Sequence, residues 1–370
     1  MMYKAILVLE DGTVYEGYSQ FEHAQKYVGE LVFNTSMTGY QEVMTDPSYA
    51  GQIVMFTQPH VGNYGVSSRD NESEGIKAAG LVAREVSMVP SNYRSESSLT
   101  QWLGNDDVPA FWGIDTRELT RRIRDKGALL ACIATGESLD PAATLSWLKA
   151  QPKYGERDFV SEVSVSEPVA LRLEGQGDLE KVLTGEAGGA KHVVVVDYGV
   201  KRSIVRNLLR RGVNVTLVPN SYGVEEIERL RPDGVLLSNG PGDPQVLSAQ
   251  SEKILRLTER WPTWGICLGH QLLALAFGGK TYKLKFGHRG PNQPVQYLPT
   301  GKVEMTSQNH GYAVSELPEF LELTHINLND ETIEGFRHKD KNVEAVQFHP
   351  EAGPGPHDAE NFFDRFCGAI

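Results

Sequence analysis

Four consecutive valines at residues 193–196 constrain the fold of this chain more than any other feature. β-Branched side chains favour an extended backbone, and a strand made only of them presents hydrophobic groups on both faces. Such a strand is stable only where other layers of structure cover both of those faces. The run therefore predicts a parallel sheet with helices on either side.

Helical and strand-like segments alternate after this run. Apolar residues recur at helical spacing in residues 201–211, 224–230 and 251–260, and the strand-like segments are residues 213–218, 235–237 and 263–266. This alternation predicts an α/β fold with a doubly wound, mostly parallel sheet, in which ligands bind at the carboxyl ends of the strands. Several short strands are expected between residues 280 and 348.

The first third of the chain shows a different pattern, with more strands than helices. Strands are predicted at residues 5–9, 31–33, 53–56, 81–83 and 129–134, and a helix at residues 115–126 with Asp115 as its N-cap. Glycines accumulate and apolar runs shorten from residue 151 to residue 190. We therefore expect a strand-rich mixed α/β domain at 1–150, a connecting segment at 151–190 with a boundary near Gly189, and the α/β domain at 191–370.

Composition and charge restrict the class of protein. The net charge of −12 over 370 residues disfavours nucleic acid and anionic membranes as partners. No window reaches the roughly 18 apolar residues that a membrane helix needs, and the N-terminal residues lack the layout of a signal peptide. The three cysteines, Cys132, Cys267 and Cys367, have no zinc-ligand spacing and suit a reducing cytoplasm. We expect a cytoplasmic protein with no bound metal.

Cys267 is the strongest candidate for a reactive residue. Glycines bracket it at positions 265 and 269, and it lies between a strand-like run and a helical run. A tight turn of this kind is a nucleophile elbow, which lifts the cysteine out of the sheet and places its sulfur at a helix N-terminus, where a thiolate is favoured. Cys132 and Cys367 lack this setting and are interpreted as core residues.

A thiolate nucleophile needs a base, and the base needs a group that orients it. His349 and Glu351, separated by Pro350, follow a strand-like run at residues 344–348. In an extended chain, residues i and i+2 point the same way, so Glu351 can fix the tautomer of His349 while the imidazole faces the sulfur. A lone His-Pro-Glu is a weak signal, and its weight comes from the cysteine turn that precedes it.

Acyl transfer also needs donors for the oxyanion, typically worth about 3–4 kcal/mol each. The N–H of Leu268, at the start of the helix, is one candidate. A second donor is expected from the glycine-containing loop at residues 239–244, although such a loop is also an ordinary turn. It is not a phosphate-binding loop, because no Gly-Lys-Ser/Thr follows it.

These segments together resemble a known family. Residues 265–271 and 349–351 are similar to the class I, triad-type glutamine amidotransferases. Residues 238–244, 309–312 and 354–358 resemble the small subunit of carbamoyl-phosphate synthase, as do residues 39–49 and 113–119 in the first domain. The similarity covers nearly the whole chain, and the segments of the first domain single out this family, since other members of the class lack that domain.

The resemblance implies roles for individual residues. Cys267 is implied as the nucleophile, His349 as the base and Glu351 as the residue that orients His349. The implied glutamine contacts are Ser48, Gly240, Gly242, Leu268, Gln271, Asn309, Gly311 and Tyr312. The family usually has Phe at position 312 and commonly Ser at position 353, so the hydroxyl of Tyr312 needs a partner if its ring packs in the site.

The implied reaction is hydrolysis of L-glutamine through a cysteine thioester, with ammonia delivered to a large synthetase subunit. That partner combines ammonia, bicarbonate and ATP into carbamoyl phosphate for pyrimidine and arginine biosynthesis. No cofactor is expected in this chain, whereas ATP and Mg are expected on the large subunit. The first domain is a plausible docking surface for that partner.

Three other functions stay open at this point. The chain fits the glutaminase of another synthase, such as the anthranilate or guanylate system, but the first domain disfavours this. A regulatory scaffold without catalysis is disfavoured by the intact Cys267, His349 and Glu351. A free hydrolase or peptidase with the same triad is expected to be fully active without a partner.

Overall fold

The computed structural model describes residues 2–174, 178–182 and 191–370. Two compact units are present, Met1–Arg157 with Lys285–Arg289, and Asp158–Leu284 with Gly290–Ile370. The boundary predicted near Gly189 lies outside the described residues. Among the helices of the described ranges, none has the length and apolar character needed to cross a membrane.

The first unit is built around a closed barrel of seven strands. The strands of the unit as a whole are β1 (Tyr3–Leu9), β2 (Val14–Ser19), β3 (Gln25–Asn34), β4 (Gln52–Phe56), β5 (His60–Val61), β6 (Gly80–Ala83), β7 (Glu85–Val86), β8 (Ala110–Trp112) and β9 (Leu129–Thr135). The helices are α1 (Tyr40–Thr45), α2 (Leu99–Asn105), α3 (Thr116–Lys126) and α4 (Pro141–Lys149). The barrel order is β1-β2-β8-β6-β4-β3-β9, while β5 and β7 form a separate pair.

Alternate side chains along a strand of the barrel pack in different hydrophobic clusters, one on each face of the sheet. In β1, Leu7 and Leu9 pack in one hydrophobic cluster, whereas Ile6 and Val8 pack in another together with Cys132. Successive side chains of a strand point to opposite faces, so a fully apolar strand is buried on both. The core position predicted for Cys132 is confirmed, since its side chain has no exposed surface.

Helix α3 forms as the sequence predicts. Asp115 is its N-cap, and one carboxylate oxygen accepts the N–H groups of Arg117 and Glu118 at 3.0 Å. Gly127 ends the helix at φ 100°, a backbone conformation that glycine adopts readily. A capping carboxylate of this kind stabilises a helix by about 1 kcal/mol.

The second unit contains an eleven-stranded sheet. Its strands are β10 (Val169–Glu174), β11 (Asp178–Val182), β12 (His192–Asp197), β13 (Asn214–Pro219), β14 (Gly234–Leu237), β15 (Thr263–Ile266), β16 (Lys280–Tyr297), β17 (Lys302–Glu316), β18 (Leu321–Asn327), β19 (Ile333–His338) and β20 (Glu344–Val346). Its helices are α5 (Val160–Val163), α6 (Arg202–Arg210), α7 (Val224–Arg229), α8 (Ser251–Arg260), α9 (Leu268–Ala276) and α10 (Asn361–Ala369). The order is β11-β10-β13-β12-β14-β15-β20-β19-β17-β16-β18, and residues 285–289 of β16 belong to the first unit.

The valine run lies in the parallel part of this sheet, with a neighbouring strand on each side. Strand β12 pairs in parallel with both β13 and β14, and the parallel arrangement continues through β15 to β20. Val193 and Val195 pack in a cluster with residues of α6 and α10, and Val194 and Val196 pack in a cluster with residues of α7, α8 and α9. Helices therefore cover both faces of the sheet, which confirms the α/β fold expected from the alternation.

The segment predicted as a connection, residues 151–190, contains two strands of this sheet. Strand β10 pairs antiparallel with β13, and β11 pairs antiparallel with β10 at the edge. Both carry exposed charges, and Arg172 forms an ion pair with Glu180 across the two strands. Charged residues are typical of edge strands, and they conceal the strand pattern in the sequence.

Candidate active site

Cys267 lies directly between strand β15 and helix α9. Its backbone has φ 53° and ψ −101°, in the half of conformational space that residues other than glycine rarely occupy. Such a conformation costs about 1–3 kcal/mol. Two backbone hydrogen bonds hold the turn in this conformation. The N–H of Cys267 donates to the carbonyl of Val346 at 2.9 Å, and the N–H of Gly269 donates to the carbonyl of Ser238 at 3.0 Å.

The glycines on either side permit this turn to pack tightly against the sheet. A Cβ at Gly265 would lie 2.6 Å from the carbonyl carbon of Gly269, and a Cβ at Gly269 would collide with the carbonyl of Leu237. Helix α9 begins at Leu268, so the cysteine is its N-cap residue. The strand–turn–helix arrangement expected around Cys267 is therefore present.

His349 and Glu351 are brought together by a turn and not by an extended strand. Strand β20 ends at Val346, two residues short of the prediction, and the N–H of Ala352 donates to the carbonyl of His349 at 3.2 Å. The prediction that residues 349–351 form an extended chain was therefore wrong. A tight turn brings the same groups together, since Nδ1 of His349 donates to Oε1 of Glu351 at 2.7 Å.

The charges of this pair are mutually stabilised. Burial opposes the charge on His349, but the Glu351 carboxylate and the Cys267 sulfur together raise the pKa of His349 well above its usual value. Burial likewise opposes the charge on Glu351, but Lys201 and His349 hold the pKa of that carboxyl below its usual value. The site therefore favours an imidazolium beside a carboxylate, with the sulfur close enough to contribute.

Lys201 is a site residue that the sequence did not reveal. Its Nζ lies 2.9 Å from Oε1 of Glu351, with 3 % and 0 % of the two side chains exposed. It also donates to the carbonyl of Ala352. A lysine just before a helix usually reads as a solvated residue, and nothing in the local sequence points to a partner 150 positions away.

Two groups lie within hydrogen-bonding distance of the sulfur of Cys267. The carbonyl oxygen of Asn309 lies 3.6 Å from Sγ, and Nε2 of Gln347 lies at the same distance. Gln271 donates from its Nε2 to the carbonyl of Tyr312 at 2.8 Å and to Oε1 of Gln347 at 3.0 Å. Asn309, Tyr312 and Gln271 were predicted as site residues, whereas Gln347 was not.

Most of the remaining predicted residues lie in the same part of the second unit. A Cβ at Gly240 would collide with the carbonyl of Tyr198 and would lie 2.9 Å from Cδ2 of Leu268, so the loop packs closely against the cysteine turn. Gly242 has φ 91°. Gly311 precedes Tyr312 in β17, and the ammonium of Lys283 lies 5.9 Å from the centre of the Tyr312 ring.

Ser48 belongs to the first unit. It lies in a short turn, where its N–H donates to Oδ1 of Asp46 at 2.9 Å. The residue as a whole is 5 % exposed. Nothing in this local geometry tests its role toward glutamine, which stays a prediction.

Comparison with known proteins defines the class of this site. Residues 194–369 match the family described as Glutamine amidotransferase class-I. These residues contain Cys267, His349, Glu351 and the loop with Gly240. The second unit therefore carries a class-I glutamine amidotransferase domain.

The first unit makes the assignment more specific, because residues 7–133 match the Carbamoyl-phosphate synthase small chain, CPSase domain. The carbamoyl phosphate synthase small chain of Archaeoglobus fulgidus is 51 % identical over 99 % of this chain and 99 % of its own. That of Rhodopirellula baltica is 50 % identical over 98 % and 95 %, and that of Vibrio cholerae 48 % over 100 % and 99 %. The chain belongs to the family of carbamoyl phosphate synthase small chains.

Proposed function

We propose that this chain hydrolyses L-glutamine at Cys267 and delivers the ammonia to a large carbamoyl-phosphate synthase subunit. The observation that carries the proposal is the buried hydrogen bond between His349 and Glu351, 2.7 Å long, with the Cys267 sulfur acting on the same imidazole. A cysteine, a histidine and a carboxylate in this relation form the acyl-transfer triad. Membership of the family supplies the substrate and the destination of the ammonia.

The first chemical step follows from the charges. The Cys267 thiolate attacks the side-chain amide carbon of glutamine, and the amide oxygen becomes an oxyanion. The imidazolium of His349 then protonates the leaving nitrogen, which departs as ammonia and leaves a γ-glutamyl thioester. Glu351 holds Nδ1 of His349, so Nε2 is the nitrogen that transfers the proton.

The second step regenerates the thiolate. Neutral His349 takes a proton from water, and the resulting hydroxide attacks the thioester carbon through another oxyanion. Collapse of this intermediate breaks the carbon–sulfur bond and releases glutamate. His349 keeps the proton that it took from water, so the imidazolium beside Glu351 and the thiolate are both restored, and the γ-carboxylic acid of glutamate loses its own proton to solvent.

The oxyanion donors are backbone N–H groups at the cysteine turn. In the first turn of α9, the N–H of Gly269 donates to the carbonyl of Ser238, and the N–H of Gln271 donates to the carbonyl of Cys267. Leu268 therefore supplies the donor next to the sulfur, and Gly240, whose loop packs on Leu268, supplies the second. Each such donor contributes about 3–4 kcal/mol in related chemistry.

We assign the glutamine contacts to the residues that the family resemblance implies. They are Ser48, Gly240, Gly242, Leu268, Gln271, Asn309, Gly311 and Tyr312. Both amide protons of Gln271 are committed to Tyr312 and Gln347, so Gln271 meets a ligand through its Oε1, which accepts. An ammonium group of the substrate suits that oxygen.

A partner is needed for a chemical reason. Ammonia released into water is mostly converted to ammonium, which is not a nucleophile. The large subunit, with its ATP and Mg, is the acceptor that makes carbamoyl phosphate from bicarbonate and this ammonia. The product would enter pyrimidine and arginine biosynthesis.

The test compares glutamine hydrolysis by the chain with and without a large carbamoyl-phosphate synthase subunit. We expect glutamate release that the partner accelerates, and its abolition in Cys267→Ser. Cys367→Ser is the matched control, since that half-buried cysteine lies on α10, and it is expected to keep full activity. Glutamate release by pure Cys267→Ser at the wild-type rate would exclude the proposal.

A further inference from the structure

Gln347 is a buried residue with an amide directed at the nucleophile. Its side chain has no exposed surface, and its Nε2 lies 3.6 Å from Sγ of Cys267. Sulfur is larger than oxygen, so this separation is within the range of an N–H···S hydrogen bond. The backbone N–H of Gln347 donates to the carbonyl of Glu334 at 2.8 Å, which fixes the main chain from which the amide projects.

The orientation of this amide follows from its neighbours. The carbonyl of Tyr312 can only accept, so the group of Gln271 that faces it at 2.8 Å is the NH₂ group. The second proton of that NH₂ points to Gln347, which must present its oxygen, at 3.0 Å. Gln347 therefore presents its own NH₂ to Cys267, because a flipped amide would place two donors face to face.

The groups around the sulfur favour different protonation states. The carbonyl of Asn309, 3.6 Å away, accepts an S–H and stabilises the neutral thiol. The imidazolium of His349 and the N–H of Gln347 stabilise the thiolate. His270, buried beside Gln347, adds no charge, because burial lowers the pKa of its imidazole to about 3.

We propose that Gln347 is a further catalytic residue, which donates a hydrogen bond to the Cys267 thiolate and is oriented for this by Gln271. The inference rests on the proposed function, since it assigns a role within the same reaction. The bond stabilises the thiolate before attack and again when the carbon–sulfur bond of the thioester breaks. No proton leaves Gln347, so the donor is unchanged by turnover.

The experiment measures alkylation of Cys267 by iodoacetamide across pH in the full-length chain, with the modified site identified by mass spectrometry. Gln347→Met keeps the length of the side chain and removes the N–H. We expect alkylation at neutral pH to slow about tenfold, equivalent to about 1.4 kcal/mol, and to approach the wild-type rate at high pH. Glutamine hydrolysis is expected to slow in parallel.

Two further variants keep the test decisive. Gln271→Leu removes the group that orients Gln347 and is expected to slow alkylation in the same pH-dependent way. If Gln347→Met does not fold, Gln271→Leu provides the test in its place. Gln296→Leu is the control, since its side chain donates to the carbonyl of Gly301 at an exposed turn, and it should match the wild type.

The outcomes separate the two proposals. If folded Gln347→Met reacts at the wild-type rate, or is slower by the same factor at every pH, Gln347 does not stabilise the thiolate and the inference is overturned. If the wild type shows the expected alkylation behaviour but releases no glutamate from glutamine with its partner present, the proposed function fails while the role of Gln347 toward the sulfur stands.

Discussion

Lys201 and Glu351 form a buried ion pair in which Nζ and Oε1 are 2.9 Å apart. The same carboxylate oxygen accepts from His349 at 2.7 Å, so one oxygen is shared by two cations. Such an arrangement is costly to desolvate and strongly destabilising to break. Lys201 is therefore a positioning residue, which keeps Glu351 charged and in place for His349.

Replacing Lys201 with Met should destabilise the fold and slow the reaction together. The change leaves Glu351 buried with one fewer cation, which we expect to cost about 3–5 kcal/mol. Urea unfolding monitored by fluorescence measures this loss. Arg337→Met is the matched control, because Arg337 and Glu322 form an exposed ion pair, and it should change stability little. Equal effects of the two variants would contradict a special role for Lys201.

Stability should depend on pH through His349. Its folded-state pKa, about 10, is raised above the ordinary value of 6.5. The stabilisation from this group is therefore fully present below pH 6.5 and is lost as pH rises toward 10. Comparing urea unfolding of the wild type and His349→Asn from pH 6 to pH 10 tests this. The advantage of the wild type should shrink steadily over that range, and a constant difference would refute the assignment.

The opposite sign applies to Glu351. Its folded-state pKa is lowered, so its stabilisation is present above the ordinary value of 4.5 and is lost as pH falls through the folded-state value. Wild type and Glu351→Gln should therefore differ most near neutral pH and converge in acid. Unfolding measured at pH 7, 4 and 3 checks the trend, which would be refuted by a difference that grows in acid.

Features that depend on neighbours in sequence were accessible without a structure. The valines at 193–196 and the cap at Asp115 are set by local pattern, so the parallel sheet and helix α3 were predicted close to their observed bounds. The glycines around Cys267 are also local, because the turn itself demands them. Local constraints of this kind leave a readable signal in one sequence.

Features that depend on distant partners were not accessible. Lys201 meets Glu351 across 150 residues, and Gln347 meets Cys267 across 80. No spacing rule connects such positions, and a lysine or a glutamine is usually solvent-exposed. The turn at residues 349–351 was likewise hidden, since a strand pattern that runs up to Phe348 does not show where pairing stops.

The close approach of Gly269 to the sheet can be tested by adding one methyl group. A Cβ there collides with the carbonyl of Leu237, so Gly269→Ala should destabilise the chain by at least about 1–3 kcal/mol and reduce turnover. Gly368→Ala is the control, because nothing lies within 4 Å of that position in α10. It should stabilise by between about 0 and 1 kcal/mol. Thermal unfolding of both variants is sufficient, and two similar melting temperatures would exclude the predicted clash.

The backbone of Cys267 should reverse the usual order of alanine and glycine. Alanine is normally more stable than glycine by roughly 0.5–1 kcal/mol, because glycine loses more conformational freedom on folding. At φ 53° and ψ −101° the Cβ of any other residue is strained by about 1–3 kcal/mol. We therefore expect Cys267→Gly to be more stable than Cys267→Ala by about 1 kcal/mol, with neither hydrolysing glutamine.

Cys132 provides the matched comparison for this last prediction. It is also fully buried, but it lies within strand β9 and has an ordinary negative φ. There Cys132→Ala should be more stable than Cys132→Gly, the reverse of the order at position 267. Urea unfolding of the four variants gives both differences in one experiment. The same order at both positions would mean that the turn holds Cys267 without strain.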